Sequence, residues 1–405
     1  MTKQPYNSTV LEKPMLDDYR VGDFFLSSPN QTILGKGSLM TVPRNEAKED
    51  QMEDLANRVV ATLERAKELG HDNPIVTGAI PFDYKKAAQL HVPEKVLTSV
   101  LSQEYGVGRT PETDSIPTYV TNSVPEPAQY KKGVEKGLTQ IANGHLDKIV
   151  LARSLHLTSS ARVNINQLLH NLAGQNTKGY TFAVDLNKKE DSSACKKTLI
   201  GASPELLVSR TGLHVVANPL AGSRPRSDDP VEDQRRSKEL LSSSKDLHEH
   251  AVVVEAVAEA LRPFFKKIEV PKSPSVISTE TMWHLSTEVK GELADPETTS
   301  LELAIALHPT PAVCGSPFER ARESILEIEP FDRGYFTGMV GWCDASGDGE
   351  WVVTIRCAEV EEKSLRLFAG AGVVGESKPE EELAETSAKF QTMLRAMGID
   401  TDLSK

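Results

Sequence analysis

The sequence predicts an α+β fold built on a large antiparallel sheet. First, strand-length apolar stretches come in adjacent groups, at 180–186, 198–210 and again from Phe336 to Val374, rather than alternating with helices. Second, helical periodicity is confined to a few well-punctuated segments. Third, 405 residues with 39% hydrophobic and 26% charged content supply an ordinary soluble core, and no repeat of 20–50 residues divides the chain.

Phe24-Phe25-Leu26, followed by Ser27-Ser28-Pro29, reads as a short strand ending in a turn. Between Glu49 and Leu69, Met52, Leu55, Val59, Leu63, Ala66 and Leu69 recur at helical spacing, and Gly70 closes that helix. Ile75 to Phe82 is an apolar strand broken by Gly78 and Pro81, which suits a sheet edge or a bend. Tyr105 to Pro127, rich in Gly, Pro, Ser and Thr, reads as a linker or a long surface loop.

Tyr130, Val134, Leu138 and Ile141 mark an amphipathic helix stopped by Gly144, and Asp147 to Thr158 follows as a strand. Asp229-Pro230-Val231-Glu232 opens a helix with an N-cap acid and a proline at the first position. That helix breaks once and then shows Leu247, Ala251, Val254, Ala258 and Leu261 on one face. Near the C-terminus a strand carries Arg356, and a second runs into Gly370 and Gly372. Ser377-Lys378-Pro379-Glu380 then resembles a capping-box start. On the helix it opens, Glu382, Glu385 and Lys389 fall within ~60° of one another, beside the stripe Leu383, Phe390, Leu394 and Met397.

A net charge of −12 argues against a nucleic-acid or acidic-membrane partner. It also requires any anionic substrate to meet a local inversion of sign, from Arg, Lys or a metal. Cys195, Cys314, Cys343 and Cys357 have no zinc-like spacing and read as reduced, mostly buried thiols. The N-terminus has no apolar leader and no run approaches a membrane span, so the expected location is cytoplasmic.

Lys148 opens a strand of almost wholly apolar residues. It is either a strand-end lysine reaching water or a desolvated amine able to act as a base. Glu205, between Pro204 and two leucines, is either a salt-bridged core glutamate or a carboxyl held protonated as a general acid. His248 and His250 lie ~200° apart on a helix and cannot chelate one ion together, so they read as structural. Glu249 and Glu385, from two helices, are enough for a hard cation that needs one or two carboxylates. Arg356 between apolar neighbours needs an anionic partner. Gly370-Ala371-Gly372 admits close backbone approach to an anion but is neither GxGxxG nor a P-loop, which excludes a nucleotide-phosphate reading.

DKIVLARS (147–154), IGASPELL (200–207), PLAGSRPR (219–226), KDLHEH (245–250), TMWHLSTEVKGEL (281–293), HPTPAVCGSP (308–317), GMVGW (338–342), TIRCA (354–358) and GAGVV…EEELAETSAK (370–389) together resemble the chorismate-utilising enzymes. The resemblance covers roughly residues 120–395, in order; GAIPFD (78–83) and FFLSSP (24–29) further resemble the isochorismate synthases, particularly those feeding catecholate siderophores. It implies two stacked, largely antiparallel sheets flanked by helices around a central cleft, with residues 1–405 one domain. Residues 1–119 would complete the sheets and 120–395 would form the catalytic core.

The resemblance further implies that Lys148 is the base that activates water for attack at C2 of chorismate, and Glu205 the acid that protonates the departing C4 hydroxyl. Glu249 and Glu385 would hold Mg²⁺, with Glu382 supporting the shell through water. Arg356, Lys389 and the backbone of Gly370, Ala371 and Gly372 would bind substrate carboxylates. Gly222, Ser223, His284 and Ala312 would line the pocket. The implied enzyme is a hydroxymutase-type isomerase, a monomer without a glutaminase subunit. The amine-forming relatives lack the lysine at 148 and usually carry threonine at 312. Salicylate synthases, which keep the lysine and eliminate pyruvate, are the nearest alternative, followed by a menaquinone-pathway isochorismate synthase. A silent anion-binding protein on the same scaffold is the alternative of another class; it would have no need of Lys148, Glu205, Glu249 and Glu385 together.

Overall fold

The uninterrupted strand Lys148–Ser159 pairs antiparallel along the whole of Ser364–Val373, and this ladder anchors the larger of two sheets. The structure, a computed structural model, describes residues 15–48, 51–99, 117–187 and 196–399. Among them the larger sheet has ten strands. Its order runs Gly315–Ser316, Lys148–Ser159, Ser364–Val373, Cys357–Glu361, Lys197–Ser203, Tyr180–Asp185, Phe24–Ser27, Thr32–Lys36 and Lys95–Ser99; Tyr119–Val124 shares the free edge of Lys148–Ser159. The second sheet has nine strands, in the order Phe265–Glu269, Val289–Leu293, His214–Asn218, Leu206–Thr211, Gly349–Val353, Met339–Asp344, Ile75–Ile80, Gln89–Val92 and Met40–Thr41. The ladders of both are antiparallel, as expected. A third sheet of Leu220–Pro225, Met282–Ser286 and Ser275–Ser278 was not foreseen.

Period-two alternation gives each large sheet an inner and an outer apolar face. Phe24, Leu26 and Ile33 of the ten-stranded sheet meet Ala79, Val340 and Val352 of the nine-stranded one in a shared inner layer. The helices are α1 (Leu55–Glu68), α2 (Pro127–Ala142), α3 (Ile165–Gln175), α4 (Pro230–Ser242), α5 (Ser244–Leu261), α6 (Ser300–Leu307), α7 (Phe318–Ile328) and α8 (Pro379–Ala396). Through Leu169, Leu172, Phe390 and Leu394, α3 and α8 cover the outer face of the ten-stranded sheet. Through Leu63, Val257 and Leu301, α1, α5 and α6 cover that of the other. Each such side chain contributes roughly 1.5–3 kcal/mol of burial.

Several local expectations are corrected. Ile75–Ile80 is interior, flanked on both sides, because Pro81 falls after its last paired residue. Gly78 is needed there: a Cβ would lie 1.9 Å from the Gln89 carbonyl oxygen. The segment 198–210 is two strands in different sheets, parted at Pro204-Glu205. Of the expected linker, residues 105–116 lie outside the described residues, whereas Tyr119–Val124 is a strand. The first helix begins at Leu55, not near Glu49. Arg356 precedes the strand Cys357–Glu361 rather than lying in it, with φ +51. The capping box before α8 does not form, because the Ser377 hydroxyl accepts from the Val374 N–H instead. On α5 the buried face runs through Asp246, Glu249, His250 and Val253, so Ala251 is exposed.

Candidate active site

Pro204 stops the Lys197–Ser203 strand, and the chain crosses between sheets at Glu205 before starting Leu206–Thr211. That crossing buries the Glu205 carboxyl in the wall of a cavity lined from the ten-stranded sheet, the third sheet and two helices. Burial pushes Glu205 up to about 7, against the Leu220 N–H, 3.4 Å from its Oε1, and against Lys148, Lys389 and Arg356. A carboxyl with that value is about half protonated at neutral pH, so a proton is available to it as a general acid.

Opposite charge is supplied by two cations, Arg356 on a turn and Lys389 on α8. The main chain at Arg356 takes a left-handed conformation rare for a residue with a side chain. The turn brings the guanidinium to His284, to which Nη2 donates at 3.2 Å, and to Thr392 Oγ1 at 3.4 Å. Burial lowers Arg356 to about 10, with Glu385 and Glu205 pulling the other way, so it stays charged at neutral pH. His284 accepts from Arg356 and is therefore neutral; burial, then Arg356 and Lys389, hold its pKa well below the usual histidine value. Lys389 Nζ reaches Glu385 Oε1 at 2.6 Å and donates to the Gly370 carbonyl at 2.8 Å.

Glu249 on α5 and Glu385 on α8 both face the cavity. Ser223 donates to Glu385 Oε1 at 2.9 Å. Burial raises Glu385, but the charge and hydrogen bond of Lys389 outweigh it and leave the carboxyl below its usual range. Glu249 Oε1 is 2.9 Å from Lys148 Nζ, an ion pair whose angles fall short of a hydrogen bond. Glu382 lies behind Glu385 with 1% exposure, raised to about 7 by burial and then by Glu385. Its Oε1 accepts from Lys245 at 2.6 Å.

Glu205, Gly222, Ser223, Glu249, His284, Ala312, Arg356, Gly370, Gly372, Glu385 and Lys389 all line the one cavity. Three predicted residues do not. Lys148 is fully buried and stands immediately behind Glu249 and Gly372, drawn there by its ion pair. Glu382 is buried in the layer behind Glu385 and does not reach the cavity. Ala371 alternates with Gly370 and Gly372, so its side chain points to the other face of the strand. His250 is structural, as expected: Nε2 is 2.7 Å from Thr287 Oγ1, and burial lowers it to about 4. Sequence reasoning missed Lys245, although it lies within KDLHEH and one helical turn before Glu249. It also missed Thr337 and Ile355, for which no chemical signal existed.

The residues present fit a hard divalent cation. Two carboxylates from separate helices open on one hollow, and Glu249 Oε1 lies 2.1 Å from where a Cβ of residue 372 would be, so any side chain there would displace the carboxylate from this position. Among the described residues no group of three or more His, Cys, Asp or Glu converges as a metal cluster. A cation here would therefore rest on two carboxylates and fill its other positions with water or substrate oxygen, which is how Mg²⁺ is commonly held.

Comparison with known proteins gives a consistent result. The family described as chorismate binding enzyme matches residues 94–398. The isochorismate synthase DhbC of Bacillus subtilis (strain 168) is 61% identical over 386 residues, 95% of this chain and 96% of the relative. The vibriobactin-specific isochorismate synthase of Vibrio cholerae serotype O1 (strain ATCC 39315 / El Tor Inaba N16961) is 42% identical, covering 99% of this chain and 98% of the relative. A crystal structure described as a putative 2,3-dihydroxybenzoate-specific isochorismate synthase, DhbC from Bacillus anthracis, superposes with a TM-score of 0.88 at 59% identity, over 95% of this chain and 99% of that one.

Proposed function

The chain belongs to the chorismate-binding enzyme family, and from that premise we infer an isochorismate synthase of the 2,3-dihydroxybenzoate siderophore type, which converts chorismate reversibly to isochorismate. The observation that carries this reading is the shared hollow: Glu205 with its raised proton affinity, the cations Arg356 and Lys389, and the carboxylates Glu249 and Glu385 all face it.

Arg356 and Lys389 hold the substrate carboxylates and supply the positive field that an acidic protein otherwise lacks. Glu249 and Glu385 would hold Mg²⁺, which would offset carboxylate charge and polarise the ring system. Lys148, once its ammonium has left Glu249 and released a proton to solvent, acts as the neutral amine and takes a proton from water as the water oxygen bonds to C2. The ring double bond shifts, the C4–O bond breaks, and Glu205 gives its proton to the leaving hydroxyl. Water enters and water leaves, so the net change is an isomerisation. General acid and base each supply typically 10²–10⁴-fold. Water as nucleophile removes any need for a glutaminase partner. Cys314, Cys343 and Cys357 are free and buried, which fits a reducing compartment such as the cytoplasm.

The test is product identification from chorismate and Mg²⁺, with and without ammonia. Isochorismate alone is expected. Pyruvate and salicylate would make the protein a salicylate synthase, and an aminated product would remove water as the nucleophile.

A further inference from the structure

The two carboxylates that open on the cavity come from two different helices, α5 and α8, so their separation depends on how the first turns of those helices are held. On α5, Lys245 lies one turn before Glu249; on α8, Glu382 lies one turn before Glu385. Lys245 Nζ and Glu382 Oε1 meet at 2.6 Å between the helices, with side-chain exposures of 16% and 1%. Beside them, Arg224 of the third sheet holds Asp246, the next residue of α5, at 2.6 Å. The N-terminal turn of α5 is thus tied on one side to the sheet and on the other to α8.

We propose that Lys245 is a positioning residue for the divalent cation: through Glu382 it sets the spacing between Glu249 and Glu385. The inference rests on the metal role of those two carboxylates given above, and adds a residue that touches neither substrate nor cation. A bland alternative exists. Lys245 could be only a counter-charge to an acidic pocket, in which case its ammonium opposes a second cation nearby, and removing it should tighten metal binding. The clamp makes the opposite prediction. A carboxylate as deeply buried as Glu382 is not kept in place as an anion once its ammonium is gone. Losing it unties the first turn of α5 from the first turn of α8, the turns just before Glu249 and Glu385.

Mn²⁺ is the probe, because its free ion is counted directly by electron paramagnetic resonance without turnover. The full-length protein is titrated as wild type, Lys245→Met, Glu382→Gln, the double variant, and Glu249→Gln, with unfolding midpoints measured for each. Lys245→Met should weaken Mn²⁺ binding about 10–100-fold, the range found for residues behind metal ligands. The double variant should bind no more weakly than Glu382→Gln, since both act through one contact. Unchanged or tighter binding by Lys245→Met, or losses that multiply in the double variant, would overturn the proposal. If Lys245→Met does not fold, Glu382→Gln carries the test, and wild-type affinity in it is equally fatal. A wild-type protein that binds no Mn²⁺, or a Glu249→Gln variant that binds it normally, would instead remove the carboxylate metal site itself.

Discussion

Lys148 Nζ stands 2.9 Å from Glu249 Oε1, with the lysine side chain wholly removed from solvent. The proposed base and one proposed metal ligand therefore hold each other, and each role requires that hold to be given up. Lys148→Met keeps the length of the side chain and removes the amine. Turnover of chorismate should fall by about 10²–10⁴ in initial-rate assays. Mn²⁺ affinity should be no weaker than in the wild type, because the ammonium that competes for Glu249 is gone. Near-normal turnover would take the base role away from Lys148.

The pH dependence of the acid follows from burial. Glu205 is raised from 4.5 to about 7, so its protonated form predominates below neutrality. The rate of isochorismate formation should fall as pH rises through about 7, and Glu205→Gln should be slow and lack that arm. The same shift acts on folding. The native state keeps a proton that the unfolded chain releases near 4.5, so this group's stabilisation is complete below that value and is lost as pH rises through about 7. Urea midpoints of wild type and Glu205→Gln across this window would check the sign.

Gly370 and Gly372 face the same cavity but should fail differently. A Cβ at 372 would fall 2.1 Å from Glu249 Oε1 and 3.0 Å from Lys148 Cε, whereas one at 370 finds its nearest neighbour, Val150 Cγ1, at 3.3 Å. Gly372→Ala should therefore lower metal affinity, with roughly a tenfold loss expected from displacing a ligand's surroundings. Gly370→Ala should leave metal affinity alone and raise KM, because it crowds the substrate side. Calorimetric or resonance titration beside steady-state rates separates the two; equal metal affinities in the two variants would show that crowding at 372 does not reach the metal site.

The glycine contrast also shows what could be read in advance. Glycines after a strand mark close approach, but the partner at 372 is a glutamate from a distant helix, invisible to local pattern. The burial of Lys148 was legible because an apolar strand follows it; its pairing with Glu249 was not. The capping box at Ser377 failed for the same reason. A local motif offers the hydroxyl to the helix N-terminus, and the turn at Val374 takes it instead. The segment 198–210 looked continuous because Leu206 to Val208 restores the apolar pattern at once, and only tertiary context separates two sheets at Pro204-Glu205. The third sheet, which brings Ser223 and His284 to the cavity, lay within motifs too short and polar to announce strands.

The scaffold behind the cavity supplies the last prediction. Arg333 is 3% exposed and grips Glu329 with two donors, Nε to Oε2 at 2.8 Å and Nη2 to Oε1 at 2.6 Å. The same guanidinium donates to the carbonyls of Val313 and Val150, both 2.8 Å away, and lies 4.7 Å from the Phe82 ring centroid. Glu329 Oε1 also accepts from the Ala152 N–H at 2.8 Å. This pair therefore fixes Val150 and Val313, two cavity-lining residues from separate segments. Arg333→Met removes the cation and leaves a buried carboxylate behind, which should cost about 3–5 kcal/mol in urea unfolding. Arg333→Met combined with Glu329→Gln removes both charges and should recover part of that loss, since the two changes share one contact. If the single variant unfolds like the wild type, or the double is as unstable as the sum of the two singles, the pair is not what holds this wall of the site together.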